Sequence, residues 1–423
     1  CNRQKSLARK RAARGETLLK LILNLVLKNA RSRHGAPISG RRNVARRQMK
    51  HPHTAALLNR VPLRLVTEHS PPLQLTSLHI ENFRNLESVS LAPAPGLNWL
   101  FGENGAGKTS VLEAIHVLAR GRSFRANSIS PLIRDGTKAL RVVARTAKPD
   151  GQAGMERSGS DWTGRINRQS SVRMSEFARM LPLVLVDPEN HSLVEGAPAL
   201  RRSFLDWGLF HVEQSYLADW RRYSRLLRQR NAALRAQAAP QLLEALERPM
   251  AEAAAAVEVL RGCYVSSLQK NLEALATELE FHVGKIGLVY RPSANSAEAY
   301  LDKWRQTRAR DLEQGFTRDG PQRGDLTIRA GDRLAAPRLS RGQMKLVALM
   351  LKLGQMGLAC RADCEPVLLL DDPVSELDDY HLDRLLEWLR LQPNQTWITA
   401  VDRLADSDAG LFHVEQGEIH AVV

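Results

Sequence analysis

Residues 102–109 have the composition of a loop that binds nucleotide phosphates. Their sequence, GENGAGKT, fits the pattern G-x-x-x-x-G-K-[ST] and lies between a short apolar segment and a helical pattern. In such a loop the glycines turn backbone N–H groups toward a phosphate, Lys108 reaches the β- and γ-phosphates, and the Thr109 hydroxyl is a ligand of Mg²⁺. The pattern therefore predicts bound ATP and Mg²⁺, with a catalytic role for Lys108. The predicted ATP-binding residues of this loop are Gly102, Glu103, Asn104, Gly105, Ala106, Gly107, Lys108 and Thr109.

Two adjacent carboxylates follow a second apolar segment far downstream. Four apolar residues at 367–370 precede Asp371 and Asp372. An acid at the carboxyl end of a buried strand can hold Mg²⁺ beside a phosphate loop. We predict Asp371 as a metal ligand with Thr109, and Asp372 as the catalytic residue that orients the attacking water. By itself this segment would better fit a strand that ends in a solvated turn, and the phosphate loop is what favours the metal site.

A third motif, Leu339-Ser340-Arg341-Gly342-Gln343, precedes an apolar helical pattern at 344–354. Serine and glycine at a helix N-terminus can bind a second phosphate group. A chain with two phosphate-binding segments commonly shares its nucleotide with a second copy, so we predict a homodimer. Ser340, Gly342 and Gln343 complete the predicted ATP-binding set, and the segment 375–378 (SELD) is expected beside the dimer interface.

The order of the motifs also predicts the architecture. The phosphate loop and the paired acids must meet in space, so the residues between them form an insertion into one nucleotide-binding unit. Residues 204–235 and 241–280 lack strand alternation and have helical spacing. We therefore predict an α/β fold in which a head, built from residues 73–200 and 316–423, carries an inserted helical arm at 201–315.

The net charge is concentrated at one end of the chain. The 423 residues carry a formal charge of +16, but residues 1–72 contain 17 Lys and Arg and only two acids, and so carry +15 of it. An arm that binds nucleic acid or membrane and a signal peptide are two interpretations of this extension. We favour a third, a disordered basic tail or an over-extended gene model, because charge runs alone are weak evidence of binding.

Within the near-neutral remainder, one basic cluster is a candidate DNA contact. Five arginines occur in the ten residues 221–230, next to Trp220 and Tyr223, which is compatible with phosphate contacts and a stacking platform. A solvated helix face whose arginines pair with acids is an equally good interpretation. The candidate residues are Arg221, Arg222, Arg225, Arg228 and Arg230.

Cysteine content and hydropathy indicate the cellular compartment in which we expect the protein. Four cysteines are too few and too irregularly placed for a disulfide framework or a zinc site. The longest apolar run, residues 18–27, is interrupted by Lys20 and Asn24 and is shorter than the roughly 20 residues that span a bilayer. We expect a cytoplasmic protein without a membrane partner.

The combination of motifs resembles the ABC-type ATPases of the SMC, Rad50 and RecF branch. Lys108 and Ser340 are 232 positions apart, longer than we expect in a transporter ATPase, and no sustained heptads indicate an SMC or Rad50 coiled coil. From about residue 75 onward the chain is most similar to the RecF family of bacterial DNA replication and repair proteins. The segments that carry this similarity are 78–85, 121–125, 187–189, 193–198, 201–207, 229–234, 320–323 and 375–379.

The resemblance implies an ATP-dependent homodimer that clamps DNA at gaps and junctions and has weak, DNA-stimulated ATPase activity. It also implies a part in DNA damage repair, replication and the SOS response, action with RecR and RecO, and help in loading RecA onto SSB-coated single strands. Departures from the family pattern are Gln322, where His is common, and Gly324, where Asp is frequent. Glu189 and the segment 399–401 stand where other cassette ATPases have a γ-phosphate-sensing Gln and a switch His, which suggests slow hydrolysis.

Two other functions are weighed against this one. An energy-coupling ATPase subunit of a membrane transporter would need a membrane partner and a shorter insertion. A scaffold that does not hydrolyse ATP would have no need of Asp371 and Asp372.

Overall fold

The structure, a computed structural model, describes residues 73–126, 128–147, 150–159, 161–171, 173–403 and 409–422. The prediction for residues 1–72 lies outside these ranges.

A six-stranded sheet forms the centre of the head. Its order is β15-β14-β3-β13-β12-β8, and all neighbours are parallel except the β14–β15 hairpin. Strand β12 is a continuous apolar run because both faces of the sheet are covered: Leu368 and Leu370 face one core, Leu369 the other. The strands are β3 (Leu97–Phe101), β8 (Leu183–Val186), β12 (Val367–Leu370), β13 (Thr396–Ala400), β14 (Gly410–Glu415) and β15 (Glu418–Val422).

A second, antiparallel sheet lies in the N-terminal part of the head, with the order β2-β1-β4-β5-β6-β7. Helix α1 (Lys108–Arg120) packs between the two sheets and buries seven apolar side chains completely, so the helix that follows the phosphate loop is fixed on both sides. The strands are β1 (Gln74–Phe83), β2 (Leu86–Leu91), β4 (Leu140–Ala147), β5 (Gly151–Ser158), β6 (Asp161–Ile166) and β7 (Gln169–Ser171).

The middle of the chain is mainly helical. The long α6 packs against its neighbours α5 and α7, and it also contacts α8, which belongs to the C-terminal part of the head. A small antiparallel sheet, β11-β10-β9, adjoins α6. The remaining elements are α2 (Met174–Met180), α3 (Ser192–Glu195), α4 (Pro198–Val212), α5 (Tyr216–Arg235), α6 (Pro240–Glu278), β9 (Ile286–Arg291), α7 (Ala297–Gln314), β10 (Asp325–Ala330), β11 (Arg333–Leu334), α8 (Arg341–Cys360), α9 (Pro373–Glu376) and α10 (Asp379–Arg390).

Two details differ from the sequence-based prediction. The helical segment 204–235 is two helices, because the chain leaves the helical conformation between Val212 and Tyr216. The segment 201–315 also contains strand β9, which pairs with β10 of the following segment. Alternation over only six residues, IGLVYR, is a weak signal beside long helical patterns. In the described part of the chain, no helix is long and apolar enough to cross a membrane.

Candidate nucleotide-binding site

Parallel pairing brings two distant motifs to one edge of the central sheet. Strand β13 lies between β3, which precedes the phosphate loop, and β12, which precedes Asp371. Since the carboxyl ends of parallel strands meet at the same edge, the two motifs become neighbours. The Thr109 hydroxyl donates a hydrogen bond of 2.8 Å to Asp371 Oδ1 across 262 positions of sequence. The structure thus places the two predicted metal ligands in direct contact.

The phosphate loop depends on glycine at two positions. Gly102 and Gly107 have φ values of 145° and 124°, which L-residues rarely adopt. A Cβ on Gly102 would collide with the carbonyl oxygen of Val414, and one on Gly107 would lie 2.9 Å from Asn85 Nδ2. Strand β14 and the β1–β2 turn therefore leave no room for a residue larger than glycine at these two positions.

Lys108 closes the loop on itself. Its ammonium donates to the carbonyl oxygens of Gly102 and Glu103, at 2.6 and 2.8 Å. Burial lowers the pKa of Lys108, while the charges of Asp372 and Asp371 oppose that shift. Phosphate oxygens can replace the two carbonyls, because an ammonium on a flexible stem reorients readily.

Asn85 supports the loop from the β1–β2 turn. Its Nδ2 donates to the carbonyl oxygen of Ala106 at 2.9 Å, and its Oδ1 accepts from the Ser110 hydroxyl at 3.1 Å. The spacing of the motifs predicts no role for Asn85, since no spacing rule connects this turn to a loop some 20 residues later. The signals that point to it are a polar residue in the turn of a hairpin that precedes the loop and its place in the family segment 78–85.

The paired acids have different environments. Asp371 accepts at Oδ1 from the hydroxyls of Thr109 and Thr399, and burial raises its pKa. Asp372 has a left-handed backbone (φ 51°), and its N–H donates to Thr399 Oγ1 at 2.8 Å. Asp372 Oδ1 is buried and has no hydrogen-bond partner. A buried carboxylate oxygen without a partner, beside a Thr–Asp oxygen pair, fits a site for Mg²⁺ and a bound water, because oxygen ligands suit this cation.

The Ser340 segment, residues 339–343, lies at the N-terminus of α8. Ser340 Oγ accepts from the Gln343 N–H, and Gln343 Oε1 accepts from the Ser340 N–H, so the two residues cap their own helix, α8. Ser340, Gly342 and Gln343 are all exposed, and in the described ranges no hydrogen bond joins them to the phosphate loop. The segment therefore presents a helix N-terminus to the surroundings.

The structure corrects one candidate DNA contact. Arg230 is completely buried and donates to Glu247, Asp311 and Thr317, so its prediction as a phosphate contact is wrong. Arg230 lies on the face of α5 that packs against α6 and α7. The number of arginines in the segment does not show which face of the helix each of them occupies. The other four candidates are exposed, and of these Arg222 pairs with Glu252 at 3.1 Å and Arg221 donates to Ser175 at 3.0 Å. They are Arg221, Arg222, Arg225 and Arg228.

The structure shows the contacts of two residues that depart from the family pattern, Gln322 and Glu189. Gln322 accepts a hydrogen bond from the Tyr223 hydroxyl, which links the arm to the segment before β10. Glu189 is exposed in the turn Pro188–His191, whose N-terminus is capped by Asp187. Burial raises the pKa of Asp187. Asp187 and Asp371 line the same pocket, so this turn lies close to the predicted metal ligand.

A phosphate loop after one parallel strand, with an acid at the end of another and a single strand between them, is the arrangement of a P-loop ATPase head, and the comparisons with known proteins show that this head is of the ABC type. The family described as "RecF/RecN/SMC N terminal domain" matches residues 74–419. The chain belongs to the RecF family of DNA replication and repair proteins.

Individual relatives agree with this assignment. The DNA replication and repair protein RecF of Thioalkalivibrio sulfidiphilus is 39% identical over 355 residues, which cover 82% of this chain and 98% of the relative. That of Stenotrophomonas maltophilia is 39% identical over 363 residues, or 83% of this chain and all of the relative.

Comparison with solved structures supports the same family and fold. The recombination mediator protein RecF with ATP has a TM-score of 0.76 and 25% identity, covering 84% of this chain and 99% of that one. A Smc head domain from Pyrococcus furiosus has a TM-score of 0.53 at 16% identity, covering 83% and 96%, which shows the fold alone. The predicted fold class and family are confirmed, and the assignment favours DNA repair over the transporter function.

Proposed function

We propose that ATP binding closes a homodimer of this chain around duplex DNA and that slow hydrolysis reopens it. The observation that carries the proposal is the separation of two ATP-binding motifs in one subunit. Thr109 and Asp371 meet at the phosphate loop, whereas Ser340 and Gln343 are exposed and bonded to each other at the start of α8. An exposed helix N-terminus is suited to bind the phosphates of a nucleotide held by a second copy.

Each residue of the site has a defined task in this proposal. Lys108 exchanges its two loop carbonyls for phosphate oxygens, and the loop N–H groups bind the same phosphates. Thr109 and Asp371 would hold Mg²⁺, which supplies charge neutralisation when bound. Asp372, with one unpaired buried oxygen, orients the attacking water and accepts its proton.

The proposed biology follows the relatives. One solved relative is described as a recombination mediator in the RecFOR pathway, which suggests RecR and RecO as partners of this chain. We propose that the dimer recognises gaps and junctions in the cytoplasm and helps to load RecA on SSB-coated strands. Exposed Arg221, Arg222, Arg225 and Arg228 are the proposed DNA contacts, inside a cleft formed by dimerisation.

Light scattering with and without ATP tests the dimer. Wild-type protein is expected to dimerise only with ATP. Lys108→Arg is expected to abolish dimerisation, and Ser340→Arg to block it while leaving ATP binding intact. A Lys108→Arg protein that still dimerises with ATP contradicts the mechanism.

ATP hydrolysis with and without duplex DNA, at two salt concentrations, tests the DNA contact. We expect stimulation that weakens as salt rises, because counterion release drives phosphate contacts. No hydrolysis in any condition would instead favour a scaffold.

A further inference from the structure

An ion pair joins the helix that follows Ser340 to the turn that follows Asp372. Lys345 Nζ on α8 lies 2.7 Å from Glu376 Oε2, the last residue of the single-turn helix α9. The two side chains are only 31% and 23% exposed. Both line a pocket that also contains Leu349 and Leu377. The surrounding apolar groups shield the pair, so solvent and salt weaken it less than they weaken a pair on an open surface.

Both ends of this pair are held rigidly. On one side, Ser340 is the N-cap of α8 and its capping box fixes the first turn, and Lys345 follows in the second. On the other side, Asp372 is the N-cap residue of α9, and the Ser375 N–H donates to the Asp372 carbonyl at 3.2 Å. A shift of either segment is therefore transmitted through two charged side chains to the other.

We propose that the Lys345–Glu376 ion pair couples the two ATP sites of the dimer. This inference rests on the proposed function. In the dimer, the Ser340 segment of a subunit meets its partner's nucleotide, while Asp371 and Asp372 face its own. The pair keeps the two segments in register, so that closure on one nucleotide favours the competent arrangement at the other. Lys345 and Glu376 are positioning residues, since in this arrangement neither touches a nucleotide.

A double-mutant cycle on the full chain tests this coupling. The variants are Lys345→Met, Glu376→Gln, the double variant, and Lys345→Arg, which keeps the charge. The matched control is the pair Lys303–Asp319, which joins α7 to the segment before β10 at 2.8 Å and has similar exposure of 38% and 17%, changed to Lys303→Met and Asp319→Asn. Binding of a fluorescent ATP analogue by dilute monomer, ATP-dependent dimerisation, and the Hill coefficient of hydrolysis are measured.

Each single variant is expected to bind the analogue like the wild type but to need about fivefold more ATP for dimerisation, at the lower end of ordinary coupling effects. Its Hill coefficient should fall toward one. The double variant should be no worse than either single, because the same interaction is lost. Lys345→Arg should retain most of the coupling, and the control variants all of it.

Three results would overturn the inference while leaving the proposed function intact: unchanged dimerisation of the variants, additive losses in the double variant, or equal losses in the control pair. Failure of the wild type to dimerise with ATP would instead refute the proposed function, and the coupling with it.

Discussion

The nucleotide site and the helical arm both bury charged groups, but Asp372 in the site and Arg230 in the arm differ in how completely they are paired. Within the described ranges, Asp372 Oδ1 is buried without a partner, and the ammonium of Lys108 donates only to loop carbonyls. In the arm, Arg230 donates to Glu247, Asp311 and Thr317. A site keeps bonding capacity for a ligand, whereas a scaffold uses that capacity within its own fold.

A second arginine of the arm shows the same saturation. Arg261 donates to Asp206 and to the carbonyl oxygen of Pro321, and so joins α6 to α4 and to the segment before β10. Burial of such groups is tolerated because each charge has partners, and removal of one partner is costly.

The largest expected effect is at the unpaired oxygen of the site. Asp372→Asn should lower the rate of ATP hydrolysis by about 10²–10⁴-fold, because it removes a proton acceptor. Binding of ATP should persist, since Lys108 and the loop remain. Single-turnover hydrolysis and equilibrium binding check the two halves of this expectation. Asp383→Asn, an exposed acid on α10, is the control, and a similar loss there would count against a catalytic role.

Substitution of a buried arginine in the arm should change the stability of the fold rather than the rate of ATP hydrolysis. Arg230→Met should destabilise the fold by about 3–5 kcal/mol, because Glu247 and Asp311 lose their buried partner. Urea unfolding measures this change. The exposed neighbour Arg228→Met should stay within about 0.5 kcal/mol of the wild type. Equal stabilities of the two variants would remove the distinction between saturated and exposed arginines.

A buried histidine of the head should respond to pH. The Nδ1–H of His116 donates a hydrogen bond to the Arg122 carbonyl oxygen, and burial lowers the pKa of His116 to about 3. Between about pH 4 and 6 the unfolded chain binds this proton and the folded chain does not, so acidification destabilises the fold by about 1.4 kcal/mol per pH unit. His116→Leu should flatten this dependence in urea titrations. An undiminished pH dependence in His116→Leu would contradict this account of His116.

The smallest expected effect is that of single exposed arginines on DNA binding. Changing Arg225 and Arg228 to Gln should reduce the slope of log affinity against log salt by about 0.9 for each lost phosphate contact. Stability should be retained, in contrast to Arg230. An unchanged slope would place the DNA contact elsewhere and support a solvated helix face.

Much of the head could be predicted because its signals are local. The phosphate loop requires glycines and Lys108 at fixed positions, and a buried parallel strand shows as an apolar run that ends at Asp371. The supports of the loop and of the paired acids could not be predicted in the same way. Asn85 holds the loop from the β1–β2 turn, and Thr399 holds Asp371 from the neighbouring strand β13. No periodicity connects these two residues to the groups that they hold.

The sequence by itself determined the motifs, their order and the α/β class, because each depends on neighbouring residues or on a strand's burial. Only the tertiary structure decided which charged side chains are exposed and can bind a ligand. Arg228 and Arg230 are two positions apart in one helix, yet the first is exposed and the second is buried between acids. A helix turns about 100° per residue, so the packing of α6 and α7 on one face decides which arginine can meet a ligand.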